Sequence, residues 1–366
     1  MSTGVSPRVP SEANTSLTRT APRVKEHAMQ IPVIVFGASG YSGIELLRLL
    51  TRIPEVHLVA ASSDKWAGRV LSDAVPGAWS GQSFRTHAEV ERVAEAGQLV
   101  FLATPAESSL ALAPKMLARG LRVIDLSGAF RLADAAKYPE WYGFTHEAPA
   151  LLAEAVYGLP QLFPVRADAR LVANPGCYAT AAALAAAPLV REGLVDLALP
   201  LMLDGKSGTT GAGRKADEAF SFSEVADTLR PYRVGKHQHV PEIEQTLARY
   251  SGREVRVSFV PHLIPMRRGL IVSGQAIAKD GVTRGLIEDA YRAHLGDKSY
   301  VRLSLARPAD PGTVLGTNHA EVSVSFDPRT RVVSFFGALD NLMKGAAGQA
   351  IENLAALTGV SLARAF

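Results

Sequence analysis

The chain reads as an α/β protein: a parallel, doubly wound sheet in its first half, then a second α+β domain whose mixed sheet is mostly antiparallel. Three observations predict this. Short apolar runs alternate with helical segments from Ile31 to Leu126, as β–α–β units require. The turn Gly37-Ala38-Ser39-Gly40-Tyr41-Ser42-Gly43 stands directly between the first run and the first helix. After Cys177 the texture changes to longer extended runs separated by loops. A length of 366 residues with 47% hydrophobic content supports two such cores.

The elements follow in order. Ile31–Phe36 is a short apolar strand, and Ile44–Leu50 a helix with Glu45 and Arg48 on its wetter side. Val56–Ala61 is a second strand. Leu99–Ala103 is a third, ending at Thr104-Pro105, and Ala106–Ala118 is a helix. Arg122–Leu126 and Leu171–Ala173 are further strands, the latter delivering the chain to Asn174-Pro175-Gly176-Cys177-Tyr178. That turn and the small-residue run after it predict a loop feeding a helix. In the second half, Leu197–Leu203, Val255–Val260, Leu270–Ala278, Tyr300–Leu305 and Glu321–Phe326 read as extended, with a helix at Arg284–Leu295. Val332–Phe336 is a late strand. Asn341–Leu357 is a helix placed to fold back on the first domain.

Composition excludes several classes. A net charge of +4 with 20% charged residues, scattered along the chain, does not suggest nucleic-acid binding. No apolar stretch is long enough for a bilayer; Ala179–Val190 is short and contains Pro188. The first thirty residues are rich in Ser, Thr and Pro and lack the apolar core of a secretory signal. They read as a disordered tail, a weak organelle-targeting tail, or an extension upstream of Met29. One cysteine builds neither a disulfide framework nor a multi-cysteine metal site, and no metal site is read. The expected compartment is the cytoplasm.

The chemistry-bearing residues fall in two groups. In the first, Gly37 makes the tight turn, Gly40 allows close approach of a phosphate, and Gly43 lets the helix pack on the sheet, as in a Rossmann-type dinucleotide site. The spacing GxxGxxG departs from GxGxxG. At the end of the second strand stand Ser62, Ser63, Asp64 and Lys65, with Arg69 beyond. Hydroxyls and cations there suit a 2′-phosphate, hence NADP; Asp64 leaves open a ribose-binding role typical of NAD. The second group centres on Cys177. A lone cysteine is either a buried core thiol or a nucleophile, and a helix N-terminus favours its thiolate. His237, His239 and His262 are candidate proton carriers. Arg131, Arg214, Arg267 and Arg268 are candidate anion holders. The stretch Gly205–Arg214 reads as a flexible glycine-rich loop without the Walker spacing, which argues against ATP hydrolysis.

Together Gly37–Gly43, Asp125-Leu126-Ser127 with Phe130-Arg131, Tyr157–Pro160, Asn174–Tyr178, Ser207–Arg214, His237–Gln245, Pro261–Gly269 and Asn341–Ala347 resemble the N-acetyl-gamma-glutamyl-phosphate reductase family. That family comprises arginine-pathway relatives of aspartate-semialdehyde dehydrogenase. The resemblance spans nearly all of the chain after Ile31; the long N-terminal extension departs from it. It implies a homodimeric or homotetrameric NADPH-dependent reductase of a small anionic acyl phosphate, releasing inorganic phosphate, without nucleic-acid or membrane partners. It implies Cys177 as nucleophile and a histidine of His237–His239 as acid/base, His237 first, His239 next and His262 third, with Asn174 near the developing oxyanion. Expected cofactor contacts are Gly37, Ser39, Gly40, Tyr41, Ser42, Gly43, Ser62, Ser63, Lys65, Arg69, Thr104, Pro105, Ser207, Gly208 and Asn341. Expected substrate contacts are Ser127, Arg131, Arg214, His262 and Arg267. The implied division is an extension over 1–30, an NADP-binding domain over 31–176 plus 335–366, and a catalytic and oligomerisation domain over 177–334. Two alternatives stand: a reductase of aspartyl or N-acetyl-aminoadipyl phosphate, the latter sometimes carrier-linked, and a non-catalytic NADP-binding redox sensor.

Overall fold

A computed structural model describes residues 1–5, 30–214 and 222–366. Most of the expected N-terminal extension lies outside the described residues. The first half contains β1 (Ile31–Phe36), α1 (Tyr41–Leu50), β2 (Val56–Ala61), α2 (His87–Val93), β3 (Leu99–Leu102) and α3 (Ala106–Ala118). It continues with β4 (Arg122–Asp125), α4 (Tyr138–Tyr142), α5 (Pro149–Glu154), β5 (Val156–Tyr157) and β6 (Leu171–Ala173). The six strands form one parallel sheet in the order β2-β1-β3-β4-β6-β5. Strands buried on both faces read as unbroken apolar runs, which is why Leu99–Leu102 and Val33–Phe36 show no polar alternation.

The second half contains α6 (Cys177–Arg191), β7 (Leu201–Gly208), α7 (Phe222–Val225), β8 (Arg230–Pro231), α8 (His239–Ser251) and β9 (Val257–Ile264). Then come β10 (Leu270–Ile277), α9 (Arg284–Leu295), β11 (Val301–Leu303), β12 (Ala320–Asp327), β13 (Val332–Leu339) and α10 (Gly348–Thr358). The sheet order is β11-β12-β13-β10-β7-β9-β8. The pairs β7–β9 and β11–β12 are parallel and the rest antiparallel, so the sheet is mixed as expected.

The alanine-rich α6 is buried from Tyr178 to Val190 and packs on this sheet. Small side chains let the backbones approach closely: a Cβ at Gly337 of β13 would stand 2.3 Å from the Ala181 carbonyl oxygen. The opposite face of the sheet alternates outward, with Met202, Gln275 and Phe336 at least partly exposed.

Two boundaries differ from expectation. The strand expected over Leu197–Leu203 runs instead from Leu201 to Gly208, through residues that read as a flexible loop. Pairing along nearly its whole length, with β10 on one side and β9 on the other, overrides the low strand propensity of Gly205 and Gly208. A side chain at Gly205 would collide with the rings of Tyr178 and Phe259. The helix expected from Asn341 begins as a π-helical turn, Met343–Ala347, before α10. β13 stays in the second sheet through Leu339, past the expected crossing at residue 335. The chain then returns, and Ala350, Ile351, Leu354 and Leu357 of α10 join Val33, Val35 and Leu46 in the first core. Folding back on the first domain is therefore as the sequence indicates.

Candidate active site

The turns that leave the carboxyl ends of β1, β3, β4 and β6 gather at one edge of the parallel sheet, where open α/β sheets place ligands. A cavity of about 630 Å³ lies there, facing loops of the second sheet. Gly40, Tyr41, Ser42, Thr104 and Pro105 line it from the first half. Ser207, Arg214, His237, His239 and Asn341 line it from the second, with Arg131 and Cys177 between them.

Cys177 is the first residue of α6, and Gly176 is its N-cap. Two glycines let other groups reach the thiol. A Cβ at Gly176 would lie 2.3 Å from His239 Nε2 and 2.8 Å from Arg131 Nη1. One at Gly345 would lie 2.7 Å from Cys177 Cβ. The helix N-terminus and Arg131 favour the thiolate, but desolvation is larger and pushes the thiol up to about 11. The resting sulfur is therefore protonated, and its activation needs a base.

Behind the thiol, Glu242 and Arg131 are buried and tied down. The Glu242 carboxylate accepts from the Gly176 N–H at 2.8 Å and from the Tyr157 hydroxyl at 2.9 Å, through Oε1. Its Oε2 lies 3.5 Å from Arg131 Nη1. Arg131 also donates to the carbonyls of Asn174 (2.8 Å) and Leu126 (2.7 Å). Burial opposes its charge, and Glu242 with the nearby phenols outweighs that, holding the guanidinium protonated.

The two histidines are buried and neutral. Burial, the other imidazole and Arg233 bring His237 down to about 2; burial and Arg131 hold His239 well below its ordinary value. Their neighbours fix opposite tautomers. The His239 backbone N–H donates to His237 Nδ1 at 3.1 Å, so the His237 proton sits on Nε2. Arg131 has only donors, and its Nη1 faces His239 Nε2 at 3.5 Å, so that nitrogen is the acceptor.

At the other end, Gly37 has φ +72°, and a Cβ there would stand 2.3 Å from the Ala103 carbonyl oxygen. A Cβ at Gly43 would stand 2.5 Å from the Gly37 carbonyl oxygen. The turn is thus a cradle that side chains would fill. Helix α1 has Gly40 as N-cap, no side-chain cap and no acid in its first turn, leaving its N–H groups for an anion. Asp64 is engaged by His87: its carboxylate accepts from the His87 N–H at 2.8 Å and lies 3.0 Å from the His87 ring. That backbone hydrogen bond holds it below the usual carboxylate range. These residues fit a nicotinamide dinucleotide.

Other expected residues sit behind the cavity wall. Asn174 is fully buried; its amide donates to the Ala346 carbonyl and accepts from Asn353. Ser127 is bound to Asp125. Ser39 and Ser63 share a 2.6 Å hydrogen bond, and Ser62 is fully buried. Gly208 packs its α-carbon against the Arg267 backbone. Lys65 and Arg69 are exposed beside Trp66 in sequence. The structure does not bring His262 and Arg267 to the cavity. His262 alternates with Phe259 and Leu263 on β9, facing Asp204 at 3.3 Å on the sheet's open side. Arg267 is exposed, while Arg268 bridges Glu45 of α1 (3.1 Å) and Asp340 (3.0 Å).

Comparison with known proteins matches this architecture. The semialdehyde dehydrogenase NAD binding domain model matches residues 32–169, and the semialdehyde dehydrogenase dimerisation domain model matches residues 177–341. An N-acetyl-gamma-glutamyl-phosphate reductase of Symbiobacterium thermophilum is 44% identical over 91% of this chain and 96% of its own length. Its counterpart from Thermus thermophilus is 45% identical over 89% of this chain and 96% of its own. The chain belongs to the N-acetyl-gamma-glutamyl-phosphate reductase family. Among solved structures, aspartate semialdehyde dehydrogenase II of Vibrio cholerae complexed with ASA has a TM-score of 0.68 at 16% identity, covering 90% of this chain and 98% of that one. Aspartate semialdehyde dehydrogenase with NADP from Candida albicans has a TM-score of 0.61 at 17% identity, over 90% and 99%. At those identities the likeness carries the fold.

Within this reductase family member, three site residues escaped the sequence reading. Glu242 had a signal: three residues after His239 on one helix, it shares that residue's face. Tyr232 and Arg233 line the cavity from a loop and carried none.

Proposed function

We propose that the chain reduces N-acetyl-L-glutamyl 5-phosphate with NADPH, yielding N-acetyl-L-glutamate 5-semialdehyde and inorganic phosphate. The observation that carries the proposal is the single cavity joining Cys177, at a helix N-terminus, to the glycine cradle and both histidines. The Cys177 proton passes to His239 Nε2 as the sulfur attacks the acyl carbon. The carbon–oxygen bond to phosphate breaks, the departing phosphate oxygen takes a proton from solvent, and a thioester remains on Cys177. When bound, the dinucleotide supplies hydride to that carbon, held by the Gly37–Gly43 turn and the start of α1. The thiohemiacetal on Cys177 then collapses: its oxygen becomes the aldehyde carbonyl, the carbon–sulfur bond breaks, and sulfur recovers the proton from His239. His237, with its proton on Nε2, is the neutral donor for the substrate oxygen. The opening N–H groups of α6 add to this; such donors are worth roughly 3 kcal/mol each. These tautomers support His239 as the proton acceptor, where the resemblance put His237 first. Arg131 offsets substrate anionic charge.

NADPH is preferred over NADH on this reading because Asp64 is engaged by His87. Residues 31–176 with the α10 segment hold the cofactor, and the second sheet supplies the thiol pocket and, through its open face, the contacts of a homodimer or homotetramer. The lone cysteine supports a cytoplasmic setting; no helix among the described residues is long and apolar enough to cross a membrane. The deciding experiment runs the reaction backwards, as phosphate-dependent reduction of NADP+ by the purified protein. N-acetylglutamate semialdehyde should support it best, ahead of aspartate and N-acetyl-aminoadipate semialdehydes. A different preferred aldehyde would reassign the substrate, and no phosphate dependence would overturn the chemistry.

A further inference from the structure

Arg214 was expected at the substrate, yet among the described residues its side chain meets the cofactor half. Its guanidinium lies 4.5 Å from the centroid of Trp66 and 5.5 Å from that of Tyr41, and Nη1 donates to the Ser39 carbonyl at 3.0 Å. Ser39 and Tyr41 belong to the glycine turn; Trp66 follows the end of β2, where the adenosine ribose lies in this kind of fold. Arg69 lies against the same indole, 5.4 Å from its centroid. Among the described residues neither arginine has a carboxylate within ion-pair distance, and the one acid at that strand end, Asp64, is held by His87. Two cations therefore stand on one indole with no anion of the described protein between them. Arginine suits phosphate through its forked donors and aromatic faces through its flat cation. Arg214 comes from the turn that follows β7, in the second domain, so it crosses the cleft to reach this place.

We propose that Arg214 binds the 2′-phosphate of the dinucleotide together with Arg69, and that this contact ties the second domain to the cofactor. The inference rests on the NADPH reading above and adds to it a specificity residue from the opposite domain. Lys65, though nearer in sequence, is exposed and makes no side-chain hydrogen bond or ion pair among the described residues, so it contributes less.

The test is equilibrium binding to the full chain, by calorimetry and by fluorescence, with Trp66 as the reporter beneath the guanidinium. Arg214→Gln should weaken NADP+ binding by about 10- to 100-fold and NAD+ binding by less than threefold. It should weaken 2′-AMP but not 5′-AMP, and Arg214→Lys should recover part of the loss. Trp66→Phe should keep the NADP+ preference and remove most of the fluorescence change. Unchanged NADP+ affinity in Arg214→Gln, with a raised substrate KM, would overturn the proposal and return Arg214 to the substrate. A wild-type protein that binds NAD+ and NADP+ equally would overturn the NADPH reading itself, and the proposal with it.

Discussion

The two ends of the cavity handle charge in opposite ways. At the thiol end, Arg131 and Glu242 are buried and joined to backbone groups, while Cys177, His237 and His239 are neutral at rest. At the cofactor end, Arg69 and Arg214 are exposed and, among the described residues, held by aromatic rings and a carbonyl rather than by carboxylates. The difference matches what each end does. A group that arrives with its own negative charge is best met by a cation kept solvated and uncompensated. A nucleophile that must gain and lose a proton in place works better among fixed dipoles and neutral bases, where reorganisation is small. Charge in reserve marks the exchanging ligand, and charge locked in pairs marks the covalent step.

The largest effect should come from the sulfur. Cys177→Ser should lower turnover by at least about 10⁴-fold, since a hydroxyl in that setting has no thiolate to offer. NADP+ affinity should stay within twofold, because the phosphate contacts lie at the other end. Parallel loss of both would mean that the two ends are not separable. Glu242→Gln comes next. It keeps an oxygen for the Gly176 N–H but leaves Arg131 buried without its anion, at a cost of about 3 kcal/mol in stability. Turnover should fall about 100-fold as Arg131 and Gly176 shift beside the thiol, a rise of about 2.7 kcal/mol in the barrier. Glu242 also raises the Cys177 thiol, so iodoacetamide should alkylate the variant faster than wild type even as turnover drops. Slower alkylation in Glu242→Gln would show that the carboxylate acts only by holding the loop.

Legibility in the sequence follows locality. The glycine turn, Cys177 at the head of a helix, and the returning α10 were all readable, because each is set by neighbours within a few residues. β7 was not: Gly205-Lys206-Ser207-Gly208 has loop composition, and only β9 and β10, from distant parts of the chain, make it a strand. His262 was misplaced for a related reason. Ending that strand at Val260 removed it from the period-two pattern that sends Phe259 and Leu263 inward and His262 outward. Arg214 was read as an anion holder and expected at the substrate. Its seat on Trp66 depends on closure between domains, which no local pattern encodes. The histidine pair was visible as candidates, but their tautomers depend on a backbone N–H and on Arg131, 108 residues away from His239.

The pH response of the sulfur gives a smaller effect. With its pKa raised to about 11, Cys177 is neutral at pH 7.5, and its thiolate fraction lies roughly 300-fold below that of a free thiol near 8.5. The stronger nucleophilicity of a high-pKa thiolate returns about tenfold. The ligand-free enzyme should therefore react with iodoacetamide roughly 30-fold more slowly than free cysteine. The rate should climb about tenfold per pH unit and level near pH 11. A plateau by pH 7 would mean that Arg131 and the helix outweigh burial, and the thiol end would then resemble the cofactor end in keeping an open charge.

The smallest effect tests whether Ser62 belongs to the cofactor end. Its hydroxyl was expected to meet the 2′-phosphate, yet Ser62 is fully buried and its oxygen has no hydrogen-bond partner among the described residues. A buried hydroxyl without a partner carries an unrecovered desolvation cost of about 1 kcal/mol or more. Ser62→Ala removes that oxygen while the backbone bonds to Val35 and Ala38 remain. Unfolding in denaturant should shift toward higher stability by up to about 1 kcal/mol, and NADP+ affinity should change by less than twofold. A tenfold loss of NADP+ binding with unchanged NAD+ binding would show that the strand end opens to seat the phosphate. Recognition would then draw on β2 itself as well as on the two arginines above it.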